Sequence, residues 1–158
     1  MTSRILVSLR VRATPQRAFD VFVSDIGMWW RPNTLFRFTR HRRGTLTIEP
    51  KLGGRFVESY PDGSDFEIGR VTTWEPGNRL GLTWRQESFT DDQMTAVEVR
   101  FEPVSHDNAE TRVTVEHLGW ETVPQDHVAR HTFPDGLFLR RHGEWWQDLL
   151  DALRNHLA

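Results

Sequence analysis

The segment from Gly53 to Trp84 most constrains the fold, because it predicts three β-strands joined by two short turns. The turns are Pro61-Asp62-Gly63-Ser64 and Glu75-Pro76-Gly77-Asn78. Proline presets one backbone dihedral angle in such a turn, and glycine accepts a positive φ. Strands joined by short turns pair antiparallel, so this segment predicts a meander rather than a sheet with helical crossovers.

The first of these strands carries an acidic residue between two aromatic ones, with Glu58 two residues after Phe56 and two before Tyr60. Side chains two residues apart in a strand share a face, so all three are predicted to face the interior. A carboxylate in that position requires a partner, water or a ligand. The sheet is therefore expected to enclose a cavity rather than a fully apolar core.

The spacing of apolar residues predicts the other elements. Alternation of apolar and polar residues predicts a strand over Ile5–Val11 and further strands around Leu46, Val99 and Val115. Helical spacing of apolar residues predicts two short helices, over Pro15–Val23 and Ile26–Trp30. The same spacing predicts an amphipathic helix of about four turns over Trp145–Leu157. Residues 119 to about 141 show no clean period and predict a long loop or lid. The predicted order is one strand, two short helices, six strands and a terminal helix.

This order predicts an α+β fold in which an antiparallel sheet has one face covered by the C-terminal helix. A single domain over residues 1–158 is expected from the length. The space between a curved sheet and one helix is a suitable ligand site.

Composition excludes several classes of function. A formal charge of −2 gives no drive toward nucleic acid or an anionic membrane, and no run approaches the roughly 18 apolar residues of a membrane span. Arg4, Arg10 and Arg12 interrupt the N-terminal apolar residues, unlike a secretory signal, so a cytoplasmic location is predicted. The absence of cysteine excludes disulfides and thiolate metal sites.

Several blocks of residues resemble one known superfamily. The blocks are Val11-x-Ala13-Thr14-Pro15-x-x-Ala18-Phe19, Trp29-Trp30, Gly53-Gly54-Arg55-Phe56-x-Glu58, Gly69-x-Val71-x-x-Trp74-Glu75-Pro76, Arg79-Leu80, Thr83-Trp84, residues 97–103, residues 111–120 and the Trp-rich C-terminal helix. In this order they resemble the SRPBCC (START-like, birch-pollen-allergen-like) superfamily, and within it the C-terminal domain of the heat-shock protein 90 ATPase activator. The resemblance implies a helix-grip fold, a curved sheet wrapped around a long C-terminal helix with an internal hydrophobic cavity. The separate N-terminal domain with which the eukaryotic activator engages the chaperone is expected to be lacking.

A predicted ligand cavity follows from the strand faces and the helix. Its residues are Phe56, Glu58, Tyr60, Trp84, Phe101, His117, Trp146, Leu149 and Leu150. If the protein is an enzyme, Glu58 and His117 are its candidate acid/base pair. The ordinary structural interpretation, a hydrogen-bonded core pair or rim residues that face water, is favoured over a functional one. No cofactor and no metal is expected.

Three further patterns have an ordinary structural interpretation. His127-x-x-x-His131, with His142 beyond, has the spacing of metal ligands on a helix, but it lacks an HExxH context and favours an exposed loop. The basic run Arg37, Arg40, His41, Arg42 and Arg43 would suit an acidic partner, although such runs are usually solvated. The Trp29-Trp30 and Trp145-Trp146 pairs are predicted to pack the two ends of the grip. The face of the strand on which Arg70 lies is ambiguous, because a β-bulge would move its side chain to the opposite face.

Three functions remain open. The leading hypothesis is a protein that binds a small hydrophobic molecule under the C-terminal helix. The alternatives are an enzyme of the cyclase or dehydratase kind, and an interaction module that regulates a chaperone or another stress-response partner. The sequence leaves open whether the protein is a monomer or a homodimer.

Overall fold

A computed structural model describes residues 4–31, 37–39, 42–107, 109–124, 126–130 and 133–158. Its strands are β1 (Arg4–Val11), β2 (Thr45–Ile48), β3 (Arg55–Ser59), β4 (Asp65–Glu75), β5 (Arg79–Trp84), β6 (Thr95–Pro103) and β7 (Thr111–Leu118). Its helices are α1 (Pro15–Ser24), α2 (Ile26–Trp29) and α3 (Asp135–Leu157), with 3₁₀ turns at Trp120–Thr122 and Val128–Arg130.

The strands form one antiparallel sheet in the order β1-β7-β6-β5-β4-β3-β2. The predicted six-strand meander runs from β2 to β7, and β1 closes the other edge by pairing with β7, with Val7 opposite Val115. The curved sheet with its long C-terminal helix confirms the helix-grip architecture.

The local sequence sets the start of α1 as predicted. Thr14 is the N-cap, and its Oγ1 accepts a hydrogen bond from the backbone N–H of Arg17 at 3.1 Å, ahead of a proline at the first helical position. The buried face of α1 then packs Phe19 and Phe22 against Phe101 of β6, with ring centroids 5.3 and 5.9 Å apart. Phe101 therefore lies under α1.

The C-terminal helix is longer than the sequence predicted. It begins at Asp135, directly after Pro134, so the expectation of a loop is wrong for residues 135–141. The added turns bury Phe138 and His142 completely, at i, i+4 spacing. A histidine in the buried stripe and glycines at 136 and 143 obscured the helical period.

The segment before α3 is anchored to the core. Trp120 and Val123 are fully buried, and Arg130 is 3% exposed. The guanidinium of Arg130 donates to the carbonyl oxygens of Trp120 at 2.5 Å and Val123 at 3.2 Å. Arg130 therefore ties the two 3₁₀ turns together.

A register shift in the β3–β4 pairing settles the position of Arg70. Phe56 pairs with Gly69 and Val57 with Glu67, which leaves Ile68 as the extra residue. Ile68 and Val71 are both buried as a result, and Arg70 is exposed, forming an ion pair with Glu67 at 3.0 Å.

None of the helices in the described ranges combines the length and apolar character needed to cross a bilayer.

Candidate functional site

An aromatic cluster lies between the sheet and α3, centred on Trp84 at the end of β5. Trp84 is 1% exposed. Its ring centroid lies 4.8–6.1 Å from those of Trp30, Phe38, Phe56, His117, Trp145 and Trp146. We call these seven rings the Trp84 cluster. Four residues of the predicted cavity, Phe56, Trp84, His117 and Trp146, thus meet in it.

The two tryptophan pairs contribute to this cluster from both sides. Trp30, half-buried after α2, packs edge-on against Trp145 and Trp146 at 5.8 and 5.7 Å. The pairs therefore meet each other instead of packing opposite ends of the grip. Trp30 and Phe38 lay outside the predicted cavity, and the sequence around Phe38 shows no periodicity from which its position could be deduced.

A hydrogen-bonded chain crosses the cluster. The indole Nε1–H of Trp146 donates to His117 Nδ1 at 3.2 Å. Because an indole nitrogen only donates, Nδ1 of the neutral ring carries no proton and Nε2–H donates to Thr95 Oγ1 at 2.9 Å. The Thr95 hydroxyl in turn donates to the carbonyl oxygen of Trp84 at 2.8 Å. This chain sets the histidine tautomer.

The environment keeps His117 neutral. Complete burial lowers the pKa of its imidazole well below 6.5, and the proximity of His142 lowers the pKa further. The two rings are 5.1 Å apart, with His142 on α3 and His117 on β7. With both nitrogens engaged inside the protein, His117 has no free position for proton transfer to a ligand.

Glu58 belongs to a separate polar cluster. Its carboxylate, in a residue 9% exposed, accepts hydrogen bonds from Tyr60 Oη at 2.7 Å and Thr39 Oγ1 at 3.4 Å. Thr39 Oγ1 and Tyr60 Oη are themselves 3.1 Å apart. Within the described residues, Glu58 forms no ion pair with arginine, lysine or histidine. Burial, with the adjacent Glu58, raises the pKa of Tyr60 to about 12, so its hydroxyl stays protonated.

The structure therefore gives Glu58 and His117 different hydrogen-bond partners. The rings of Phe56 and Phe38 contact Trp84 and each other, in a cluster that does not include Glu58's hydroxyl partners. Leu149 and Leu150 are fully buried on α3. Thr39 was not predicted, because only the fold brings it beside Tyr60.

Arg42 accounts for part of the basic run. Its guanidinium lies 3.7 Å from the centroid of the Tyr60 ring and donates to Asp62 at 2.9 Å and Ser64 at 2.6 Å. It thereby ties the residues before β2 to the β3–β4 turn. Arg40 and His41 lie outside the described residues.

The histidine pattern shows no metal geometry in the part of the chain that is described. His127 uses both nitrogens in local hydrogen bonds, with the carbonyl of Ser88 at 3.0 Å and the backbone N–H of Ala129 at 3.0 Å. Among the residues that the structure describes, no group of three or more His, Asp or Glu side chains is placed to hold a metal ion. His131 lies outside the described residues.

The buried side-chain atoms without a hydrogen-bond partner in the described structure include two indole donors near His117. These are the indole Nε1–H groups of Trp84 and Trp120. Leaving a buried donor unsatisfied costs about 1–3 kcal/mol. Trp120 also contacts the ring of His117 at 5.2 Å, so both donors lie beside the same histidine. The interior thus offers two unused hydrogen-bond donors.

The fold and this aromatic interior define a helix-grip protein of the SRPBCC class. Residues 12–158 match the family model described as Activator of Hsp90 ATPase homolog 1-like protein. Because the match covers most of its length, the chain belongs to that family. No curated protein matches the chain significantly.

Solved structures agree with this assignment. An HSP90 activator from Plasmodium falciparum is 20% identical over 98% of this chain and 96% of its own, with a TM-score of 0.62. The Aha1 dimer from Colwellia psychrerythraea is 16% identical over 98% and 95%, with a TM-score of 0.64. The anthrahydroquino-gamma-pyrone synthase Txn09, solved as a complex, is 29% identical over 96% and 86%, with a TM-score of 0.51. The first two similarities show the fold.

Proposed function

We propose that this protein binds a small, planar, apolar molecule in the Trp84 cluster beneath α3. The observation that carries the proposal is the pair of buried, unpartnered indole N–H groups of Trp84 and Trp120 in an interior made of rings. Aromatic side chains favour offset and edge-to-face contacts with another ring. A ligand carbonyl or phenol oxygen would supply the acceptor that these donors lack.

The chemistry of the cluster favours a polycyclic aromatic with a few oxygen atoms. A ligand hydroxyl would find an acceptor in Glu58, whose carboxylate has only hydroxyl donors in the described structure. The 29% identity to an anthrahydroquino-gamma-pyrone synthase supports the same class of molecule.

Ligand binding is tested by titrating the protein with a hydroxylated anthraquinone while following intrinsic fluorescence and thermal unfolding. A saturated fatty acid and a sugar serve as comparison compounds. We expect the anthraquinone alone to quench fluorescence and raise the melting temperature, and an absence of both effects contradicts the proposal.

Trp84→Phe tests the role of the indole donor, because it keeps an aromatic ring and removes the N–H. Loss of one hydrogen bond is expected to weaken binding about two- to tenfold. The matched control is Trp74→Phe on β4, whose ring packs against Phe19 and lies outside the Trp84 cluster. Equal effects of the two substitutions would show that the ligand does not use the Trp84 donor.

A second candidate function is catalysis of the cyclase or dehydratase kind, with Glu58 as the proton-transferring group. It is favoured by a nearly buried carboxylate without an ion pair in the described residues. A role for His117 beside it would require breaking one of the two hydrogen bonds of the imidazole. Glu58→Gln is expected to retain anthraquinone binding and abolish any turnover, as followed by chromatography of the products.

Family membership favours a third candidate, an interaction module that regulates a chaperone. The fold is similar to that of an HSP90 activator. The ATPase rate of purified HSP90, measured with saturating amounts of this protein, decides the question, and an unchanged rate excludes the role. A cytoplasmic location belongs to the same proposal and is tested by cell fractionation.

A further inference from the structure

A cavity of about 390 Å³ lies outside the Trp84 cluster, between α1 and β2. Its apolar walls come from three elements, with Phe19 and Val23 on α1, Leu46 and Ile48 on β2, and Trp74 on β4. We call it the α1–β2 groove. Its volume falls within the range of small-molecule sites, about 300–1,000 Å³. None of its lining residues belongs to the Trp84 cluster.

The aromatic wall of the groove has a defined geometry. The ring of Phe19 packs edge-on against Trp74, with centroids 5.1 Å apart and planes at 69°. Trp74 is half-buried, so part of its indole surface stays accessible beside the groove. An exposed indole face attracts a cation as well as an apolar group.

The groove carries one negative charge. Asp20, an exposed residue of α1, lines it, and none of the other described lining residues is an arginine, lysine or histidine. One carboxylate oxygen, Oδ1, accepts a hydrogen bond from Gln16 Nε2 at 2.8 Å, which orients the side chain. In the described structure Asp20 forms no ion pair. Its charge is thus held at the edge of an apolar cavity without a cation.

We propose that the α1–β2 groove is a second binding site, specific for an amphipathic amine. The apolar body of the ligand packs between Phe19, Ile48 and Trp74, and its ammonium group lies against Asp20 and the indole. An anionic amphiphile is disfavoured by repulsion from the Asp20 carboxylate. The site is separate from the one proposed beneath α3, so the two proposals fail independently.

Calorimetric titration with three matched compounds tests the charge preference. Naphthylmethylamine, naphthylmethanol and naphthoate share a ring system and differ in the charge of one substituent. We expect the amine to bind more tightly than the alcohol, the carboxylate to bind least, and added salt to reduce only the advantage of the amine. Equal affinities for amine and alcohol, tighter binding of the carboxylate, or no binding of the amine would overturn the proposal.

Two substitutions locate the site. Asp20→Asn is expected to weaken amine binding about two- to fivefold and leave alcohol binding unchanged, because only the exposed ion pair is lost. Ser24→Phe, which fills the groove from the exposed end of α1, is expected to weaken binding of both compounds.

Asp148→Asn is the matched control, since Asp148 is an exposed carboxylate on α3 outside the groove. It should leave amine binding unchanged, as should Trp84→Phe. If Asp148→Asn weakens binding as much as Asp20→Asn, the amine follows the overall charge of the protein and the proposed site is wrong. If Trp84→Phe alone abolishes amine binding, the amine occupies the cluster beneath α3 instead.

Discussion

The indole Nε1–H of Trp146 donates a hydrogen bond to His117 Nδ1 across 3.2 Å, and both side chains are at most 1% exposed. Trp146 lies on α3 and His117 on β7, so the bond joins the helix to the sheet at the centre of the aromatic interior. It also assigns the imidazole proton to Nε2. The position of the helix and the protonation of the histidine are therefore coupled.

Trp146→Phe is expected to lower the free energy of unfolding by at least about 1–3 kcal/mol. The substitution leaves Nδ1 of His117 buried without a donor, and the smaller ring adds a packing defect. Urea unfolding measures the change. A double-mutant cycle adds the variant His117→Phe and the double variant. The double variant should lose less stability than the two single variants together, because both hydrogen-bond partners are removed. Strictly additive losses would contradict the coupling.

Stability should fall as the pH decreases below about 6.5. The pKa of His117 is lower in the folded protein than in the unfolded chain, so the unfolded chain binds a proton first. This loss in the free energy of unfolding is absent above the pKa that His117 has in the unfolded chain. Below that pKa the loss grows by about 1.4 kcal/mol per pH unit, until the pH reaches the pKa of His117 in the folded protein. Urea unfolding at a series of pH values measures the slope of the free energy of unfolding against pH. His117→Phe should flatten it, and an identical slope in that variant contradicts the assignment.

Tyr60 should titrate near pH 12, above the usual value of about 10. It is the only tyrosine, so the ultraviolet absorbance of tyrosinate reports this residue alone. Rapid mixing to alkaline pH records the folded protein before it unfolds. Glu58→Gln should lower the pKa of Tyr60, because it removes a negative charge, while burial keeps the pKa above the usual value. A folded-state pKa near 10 would contradict the buried Glu58–Tyr60 hydrogen bond.

Arg130→Met should destabilise the protein by about 2–4 kcal/mol, because the carbonyl oxygens of Trp120 and Val123 lose a charged donor. Thermal or urea unfolding measures the loss. The control is Arg154→Met, which removes an exposed pair with Asp151 on α3 and should cost less than about 1 kcal/mol. Equal losses would show that Arg130 does not anchor the segment before α3.

Local signals predicted most of the fold. Thr14 and the following proline gave the start of α1, and the turns at Gly63 and Gly77 gave the meander, with both glycines at positive φ, 88° and 76°. The start of α3 was missed because histidine is classed as a polar residue, so His142 did not count toward an apolar stripe. Its place in the core follows from the residues that pack around it. The face of Arg70 depended on the bulge at Ile68, which is a property of strand pairing.

The candidate site was predictable only in part. Strand alternation placed Glu58 beside Tyr60, and the structure joins them through a hydrogen bond of 2.7 Å. Thr39 joins the same cluster from 21 residues away along the chain, and alternation gives no information about such a contact. The partner of His117 depended on the rotation of α3, which places Trp146 against it.

The indole N–H signals of the protein in a nitrogen–proton correlation spectrum test the central proposal most directly. The protein has seven tryptophans, and Trp84→Phe and Trp74→Phe assign the two signals that matter. On saturation with a hydroxylated anthraquinone, we predict a shift of the Trp84 signal to the position of a hydrogen-bonded indole and an unchanged Trp74 signal. An unchanged Trp84 signal at saturation would contradict a ligand site beneath α3.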